Sequence, residues 1–266
     1  EGLVHLATEP SAFSREVSRA LQPASRDSVH VHTRQAFARK QTWAHRAAEL
    51  ERALDTISEP RVSVVVLCFN NLEFTQACLD SLELYSDYPN LEVIAVDNAS
   101  RDGTPAFLEE WQAGGVNRRF IGNDTNLGFS AGNNVGLRAA TGDYLVVLNN
   151  DTYVTPGWVR GMMRHLRRNP RVGLIGPVTN NIGNEARIEI QYTSMEEMIE
   201  RAGEYTRRHP GHSFPMSIAA FFCVMMTRHA YETVGPMDED FGVGFFEDDD
   251  YCRRLALHGF EVRCAD

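Results

Sequence analysis

The stretch "DYLVVLNNDTYVTPGW", Asp143 to Trp158, decides how this chain folds. Leu145-Val146-Val147-Leu148 is an apolar run of strand length, and strands covered on both faces read as continuous runs rather than as alternation. The run stops at Asn149-Asn150-Asp151. Thr155-Pro156 then reads as a helix start, with Trp158, Met162 and Leu166 on one face of that helix. A buried strand ending on three short polar side chains delivers them together to one edge of a sheet.

Working outward, the same alternation recurs. "VSVVVLCF" (62–69) and "LEVIAVD" (91–97) are buried strands, and Phe74, Cys78, Leu82 and Tyr85 mark one face of a helix between them. A helix around Pro105 to Trp111, a short strand near Phe120 and a helix from about Ser130 to Ala140 lead back to the quoted strand. Beyond it, "RVGLIGP" (171–177) reads as a strand, and Ser194-Met195-Glu196-Glu197 as a capping box. Strands alternating with helices predict an α/β fold: an open, mostly parallel, Rossmann-like sheet with helices on both faces. Before Pro60 the period is helical instead. Phe13, Val17 and Leu21 form a short stripe, and Trp43, Ala47, Leu50, Leu54 and Ile57 a longer one. We expect a helical extension or linker over residues 1–58 without site residues, and an α/β domain over 61–266.

Composition narrows the function. Of 266 residues, 43% are apolar and 23% charged, as in globular domains. The longest apolar runs fall far short of the roughly 20 residues that cross a bilayer, so no transmembrane segment is expected. The formal net charge of −10 argues against nucleic acid as a partner. Five cysteines without C-x-x-C spacing suit a reducing, cytoplasmic setting. No signal peptide is visible and the chain begins at Glu1, so it is read as a piece of something longer.

In open α/β sheets ligands bind beyond the carboxyl ends of the strands. Here those ends read Phe69-Asn70-Asn71, Asp97-Asn98-Ala99-Ser100 and Asn149-Asn150-Asp151. Asp97 is placed to bond a ribose or a base; the plain alternative is that Asp97 and Asn98 only shape a turn. The turn after the first strand, "CFNNLEFT", has no glycine, so it is no dinucleotide fingerprint. "GFSAGNNVG" (128–136) is glycine-rich, but its spacing suits neither that fingerprint nor a P-loop. A diphosphate here would need another positive group. A divalent ion, Mn²⁺ or Mg²⁺, held by Asp151 and shared with phosphate oxygens would supply it.

Four pieces together, "SVVVLCFNN", "VIAVDNASRDGT", "NLGFSAGNNVGLRAATGDYLVVLNNDT" and "VGPMDEDFGVGFFEDDDYCRRLALHGFEV", resemble family-2 glycosyltransferases of the GT-A fold, near the rhamnosyltransferase-like branch. They cover about residues 61 to 264. The resemblance implies an inverting, metal-dependent transfer of a hexose or deoxyhexose from a nucleotide-diphosphate sugar to a glycan or glycolipid hydroxyl, in surface polysaccharide synthesis. It implies that Phe69, Asn70, Asp97, Asn98, Asn126, Gly128, Asn133, Asn149 and Asn150 line the donor nucleotide. Asp151 is the implied metal-binding end of the D-x-D motif, whose first Asp is Asn149 here. In the acidic pair Glu247-Asp248, Asp248 is the implied base, with Glu247 and Phe246 at the acceptor cleft. A family metal-ligand His would follow "GFEVRCAD", so the carboxyl end of the domain is expected to be incomplete; His258 precedes that point and is not the expected ligand. "FARKQTWAHRAAELERAL" resembles the closing helix of glycosyltransferases with two Rossmann-like domains, which implies other domains of one polypeptide. Separately, the expected setting is the cytoplasm, with peripheral association at the inner membrane face.

Acids at a helix start, such as Glu247 to Asp250, are also ordinary dipole partners. The apolar approach "FGVGFF" is what marks a cleft wall, and such a carboxylate is expected to stay ionised near neutral pH. A nucleotidyltransferase would open with a glycine-rich basic loop, which is absent. The remaining alternative is a module that binds nucleotide sugar, or scaffolds a synthase, without catalysis.

Overall fold

The computed structural model describes residues 9–21, 28–40, 42–43, 46–50 and 59–266. The chain divides into two compact units, Glu1–Ser58 and Glu59–Asp266. In the first, α1 (Pro10–Ala20) and α2 (Ser28–Lys40) are helical. Phe13, Val17 and Leu21 stand exposed, as do Trp43 and Leu50 of the longer stripe, so these side chains are not packed as a stripe would suggest. Leu54 and Ile57 lie outside the described residues.

The second unit is an eight-stranded sheet of order β3-β2-β1-β4-β7-β5-β8-β6. Its strands are β1 (Val62–Cys68), β2 (Leu91–Asp97), β3 (Arg118–Gly122), β4 (Tyr144–Asn149), β5 (Val172–Pro177), β6 (Ser213–Pro215), β7 (Cys223–Thr227) and β8 (Glu261–Ala265). Helices α3 (Leu72–Tyr85), α4 (Thr104–Ala113), α5 (Gly128–Ala139), α6 (Trp158–Arg168), α7 (Met195–Arg208), α8 (Arg228–Val234) and α9 (Glu247–Leu257) connect them. β1, β2, β3 and β4 run parallel. β7 lies antiparallel between β4 and β5, and β6 antiparallel to β8. The expected mostly parallel sheet is therefore present, with two reversed strands that the sequence reading did not contain.

Successive strand residues face opposite sides of a sheet. Val62, Val64, Val66, Val146 and Leu148 pack on one side with Leu79 and Leu82 of α3, Leu108 of α4, and Met162 and Leu166 of α6. Val65, Ile94, Val96, Val147 and Leu174 pack on the other with Leu137 of α5 and Tyr251 and Leu255 of α9. Each such buried side chain contributes about 1.5–3 kcal/mol. The glycine-rich stretch 128–136 finds its reason here. A Cβ at Gly136 would stand 2.3 Å from Val65 Cγ1, and one at Gly132 2.6 Å from Leu67 Cδ1. These glycines let α5 press against β1 and β2.

Two helix starts differ in detail from expectation. Thr155 does not cap α6; Gly157, at φ 85°, holds that position, and Thr155 offers only its backbone carbonyl to Trp158 N–H at 3.4 Å. Ser194 does cap α7, accepting from Glu197 N–H at 3.2 Å. The return bond of the box lands one residue early, from Thr193 N–H to Glu197 Oε2 at 2.9 Å.

Candidate active site

The chain lays β1, β2 and β3 outward in one direction, then returns to place β4 on the other side of β1. That reversal is a topological switch point, where the loops leaving β1, β2 and β4 part to form a crevice. Register sets their ends level: Cys68 pairs with Asp97, and Leu67 with Asn149. At roughly 4.8 Å per strand, Asp97 and Asn149 stand about 10 Å apart across the end of β1.

The first two loops are stitched together. Asn70 and Asn71 adopt the left-handed conformation, at φ 55° and 56°, which asparagine tolerates well. Asn70 N–H donates to Ser100 Oγ at 2.7 Å, and Asn70 Oδ1 accepts from Arg101 N–H at 2.8 Å. Asp102 accepts from Leu72 N–H at 3.1 Å and Thr104 N–H at 3.0 Å. Behind this brace Asp97 is buried, with Oδ2 accepting from Ser100 N–H at 3.0 Å. Its Oδ1 is buried without a partner. Leaving a carboxylate oxygen so costs several kcal/mol unless something else supplies a donor.

Asn98, Asn126 and Gly128 are arranged otherwise than open nucleotide contacts would be. Asn98 Nδ2 donates to Asn126 Oδ1 at 2.9 Å and to Gly128 O at 3.0 Å. Asn98 Oδ1 accepts from Asn123 Nδ2 at 3.0 Å and Leu127 N–H at 3.1 Å. The amide of Asn98 is thus fully used. Gly128, at φ 82°, lies under the loop before α9; a Cβ there would stand 1.9 Å from Gly242 O. Phe129 N–H donates to Val243 O at 3.2 Å across the same seam. These residues tie the Asp97 loop to the acidic helix. Asn133 donates to Phe129 O at 3.0 Å and leaves its buried Oδ1 unpartnered. Phe69 is exposed beside the crevice.

At the end of β4 the three polar side chains separate. Asn149 anchors the strand, its N–H donating to Phe222 O at 2.8 Å. Asn150 turns back, donating from Nδ2 to Thr75 Oγ1 at 2.9 Å. Asp151 alone is exposed, and its carboxylate has no partner among the described residues. No group of three or more His, Cys, Asp or Glu among the described residues could enclose a metal. One free carboxylate with amide neighbours fits a hard divalent ion that takes its other oxygens from phosphate and water, not an ion caged by protein.

The acidic run opens α9 from two strained residues, Phe245 at φ 83° and Phe246 at φ 71°. Phe241, Val243, Phe245 and Phe246 are exposed around it. Asp250 is engaged by Arg254 Nε at 2.7 Å. Asp248 accepts from Asp249 N–H at 2.9 Å and has no cationic partner, and Glu247 Oε2 is buried without a partner. Burial, assisted by neighbouring acids, raises the pKa of both Glu247 and Asp248 above the ordinary carboxylate values. The direction is opposite to what the helix dipole alone would give. A raised carboxylate is a stronger base.

A cavity of about 180 Å³ opens past the end of β4, lined from Thr152, the residue after Asp151, onward. Its walls are largely apolar, with Val154, Trp158, Ile188, Ile190, Tyr192, Met198, Tyr205 and Phe222 among them. Of these only Trp158 stood out in the sequence, as a helix-face residue; Ile188, Ile190 and Tyr192 lie in the loop 178–193, which has no periodic pattern.

The profile of Glycosyl transferase family 2 matches residues 63–235, from β1 through α8. The chain belongs to glycosyltransferase family 2. An uncharacterized glycosyltransferase of Haemophilus influenzae is 30% identical over 117 residues, covering 44% of this chain and 36% of that protein. The O-antigen biosynthesis protein RfbC of Myxococcus xanthus is 27% identical over 230 residues, covering 77% of this chain and 16% of that protein. This family-2 chain thus spans a minor part of these relatives. The mannosyltransferase PcManGT of Pyrobaculum calidifontis, in complex with GDP-Man and Mn²⁺, superposes with a TM-score of 0.58 at 22% identity, over 77% of this chain and 54% of that one. S. aureus TarS 1-349 with UDP-GlcNAc gives 0.57 at 17% identity, over 77% and 55%. These likenesses give this family-2 domain its fold, GT-A.

Proposed function

We propose that the domain transfers a hexosyl or deoxyhexosyl group from a nucleotide-diphosphate sugar to a glycan or glycolipid hydroxyl, with inversion, in surface polysaccharide synthesis at the inner face of the membrane. The observation that carries this reading is the buried, unpartnered Oδ1 of Asp97 at the switch point, an acceptor that lacks a donor group. The N–H or O–H groups of a nucleoside supply one. Asn133 Oδ1 offers a second unsatisfied acceptor. Asn98, Asn126 and Gly128 act as positioning residues. Asp151 would hold Mn²⁺ or Mg²⁺ against the diphosphate, and Asn149 and Asn150 shape that strand end. When bound, such an ion neutralises charge gathering on the departing diphosphate.

Asp248 takes the proton of the acceptor hydroxyl. That oxygen attacks the anomeric carbon from the face opposite the diphosphate. The carbon–oxygen bond to the diphosphate breaks, and its electron pair leaves on the phosphate oxygen. Glu247 and Phe246 flank the acceptor, and the apolar cavity past the end of β4 is the place for its remoter part. Titrating UDP, GDP and dTDP sugars with and without Mn²⁺ in a thermal-shift assay tests this. Asp97→Ala is expected to lose nucleotide binding altogether, whereas Asp151→Ala loses only the Mn²⁺-dependent gain. Nucleotide affinity unchanged by Asp97→Ala overturns the reading. Asn149 in place of an acid favours the second reading, a binding module without catalysis. Donor binding without transfer or hydrolysis across a panel of acceptors would establish that instead.

A further inference from the structure

Residues 160–171 and 205–216 contain no Asp or Glu, in a chain of formal net charge −10, yet they hold seven arginines and three histidines. They are distant in sequence and adjacent in the fold. A Cβ built on Gly211 would lie 3.4 Å from Arg168 Nη1 and 3.6 Å from Arg164 Nη1. Arg263 of β8 joins them, donating from Nη2 to Ser213 O at 2.7 Å and from Nε to Ser213 Oγ at 3.0 Å. His165 sits among them: burial first, then Arg164, Arg263, Arg168 and His212, lower its pKa.

Neighbouring acids neutralise only part of this face. Glu59 pairs with Arg160 at 3.0 Å, Glu261 with Arg171 at 2.9 Å and Arg263 at 3.6 Å, Glu204 with Arg208 at 3.8 Å, and Asp266 with His212. Arg164, Arg167, Arg168 and Arg207 are exposed and have no ion pair among the described residues. Helix stability does not account for them. Arg167 and Arg168 suit the carboxyl end of the α6 dipole, but Arg160, Arg164 and Arg168 repeat at i, i+4, where like charges repel. The buried side of α6, Val159, Met162, Met163 and Leu166, leaves these arginines on one outward stripe.

We propose that this stripe, with Arg207 beside it, docks the domain on an anionic phospholipid surface. No helix among the described residues is long and apolar enough to cross a membrane, so the contact is peripheral. A flat surface meets one face of the protein, and salt screens acids lying more than about 8 Å beyond it. A flexible nucleic acid would meet the acidic remainder as well. The proposal is independent of sugar transfer, and its test needs no donor.

The test is co-sedimentation with phosphatidylcholine vesicles and with vesicles containing about 30% phosphatidylglycerol. Binding is expected only to the latter, with release as NaCl rises from about 0.05 to about 0.5 M. The double variant R164Q/R168Q is expected to bind about thirtyfold more weakly, at roughly fivefold per arginine. R119Q/R253Q, with the same change of charge elsewhere, is expected to bind as the parent does. Equal binding to neutral vesicles, indifference to salt, equal loss in both double variants, or capture of a single-stranded oligonucleotide in place of vesicles would each overturn the proposal. The lipid and salt arms use the unaltered chain, so they stand even if a variant folds poorly.

Discussion

Asp248 and Asp250 lie two positions apart on α9 and are held differently. Asp250 is committed to Arg254 at 2.7 Å, while Asp248 is half-buried and lacks a cationic partner. Asp248→Asn is expected to lower transfer by about 10²–10⁴-fold while donor affinity stays within a few-fold. Steady-state kinetics with a verified donor and acceptor check this, and near-normal turnover would remove the base from Asp248. The pH dependence has a definite sign. A base must be ionised, so kcat/KM is expected to fall as pH drops through a value above the ordinary 3.8 of an aspartate. The same raised pKa means that the folded state binds the proton more tightly than the unfolded chain, so stability from this group is lost as pH rises through the folded value. Asp248→Asn should therefore melt at or above the parent's temperature at neutral pH. An inactive variant that is no less stable is the signature of a site residue.

At the scale of elements, the seam between α5 and the loop before α9 is the tightest contact around the site. Gly128→Ala would place a methyl 1.9 Å from Gly242 O, which is backbone, on a residue at φ 82°. We expect a loss of about 2 kcal/mol or more, read by urea denaturation, with loss of transfer as the loop leading into Glu247 shifts. Gly132→Ala meets side-chain atoms rather than backbone, Leu67 Cδ1 at 2.6 Å and Asn98 Nδ2 at 3.1 Å, at an ordinary φ, and should cost less. Equal costs would mean that the loop yields freely. This seam also marks what the sequence could and could not convey. β1, β2 and β4 were legible because unbroken Val, Leu and Ile runs have few other uses. β7, "CVMMT", was not legible, because Cys and Met carry little strand signal and the segment borders no turn residues of its own. Asp97 and Asn98 looked alike as strand-end polar residues. What separates them is partners 25 to 30 positions away, Asn123, Asn126 and Gly128, and no local pattern announces those.

At the scale of the molecule, the edge opposite the site is held by Glu92. Its carboxylate accepts from Ser63 Oγ and, at 2.8 Å, from both Thr141 N–H and Oγ1, and pairs with Arg61 at 2.9 Å. Burial alone would raise its pKa; the bonds from Ser63 and Thr141 and the charge of Arg61 outweigh that and hold it below 4.5. A depressed folded pKa contributes stability that is present above the unfolded value and lost as pH falls through the folded one. Denaturation midpoints are thus expected to decline below about pH 4.5 in the parent. Glu92→Gln should be less stable at pH 7 and show a flatter acid limb. The division after Ser58 yields another expectation: a chain starting at Glu59 should retain nucleotide binding, measured by calorimetry. Loss of binding in a truncated but folded chain would bring residues 1–58 into the site.

The place of β7 in the sheet sets an order of events during synthesis. β5 pairs with β7 and β8, and both are made after it, about 50 and 90 residues later. When β5 leaves the ribosome it has no neighbour to join. β4 meanwhile offers an open edge beside a completed half-sheet of β3, β2, β1 and β4. Such an edge is a template for pairing with another chain. A nascent chain stalled near residue 200 should therefore be prone to aggregation and to chaperone capture. Release of about thirty further residues, enough to deliver Cys223–Thr227 into the gap, should end that exposure.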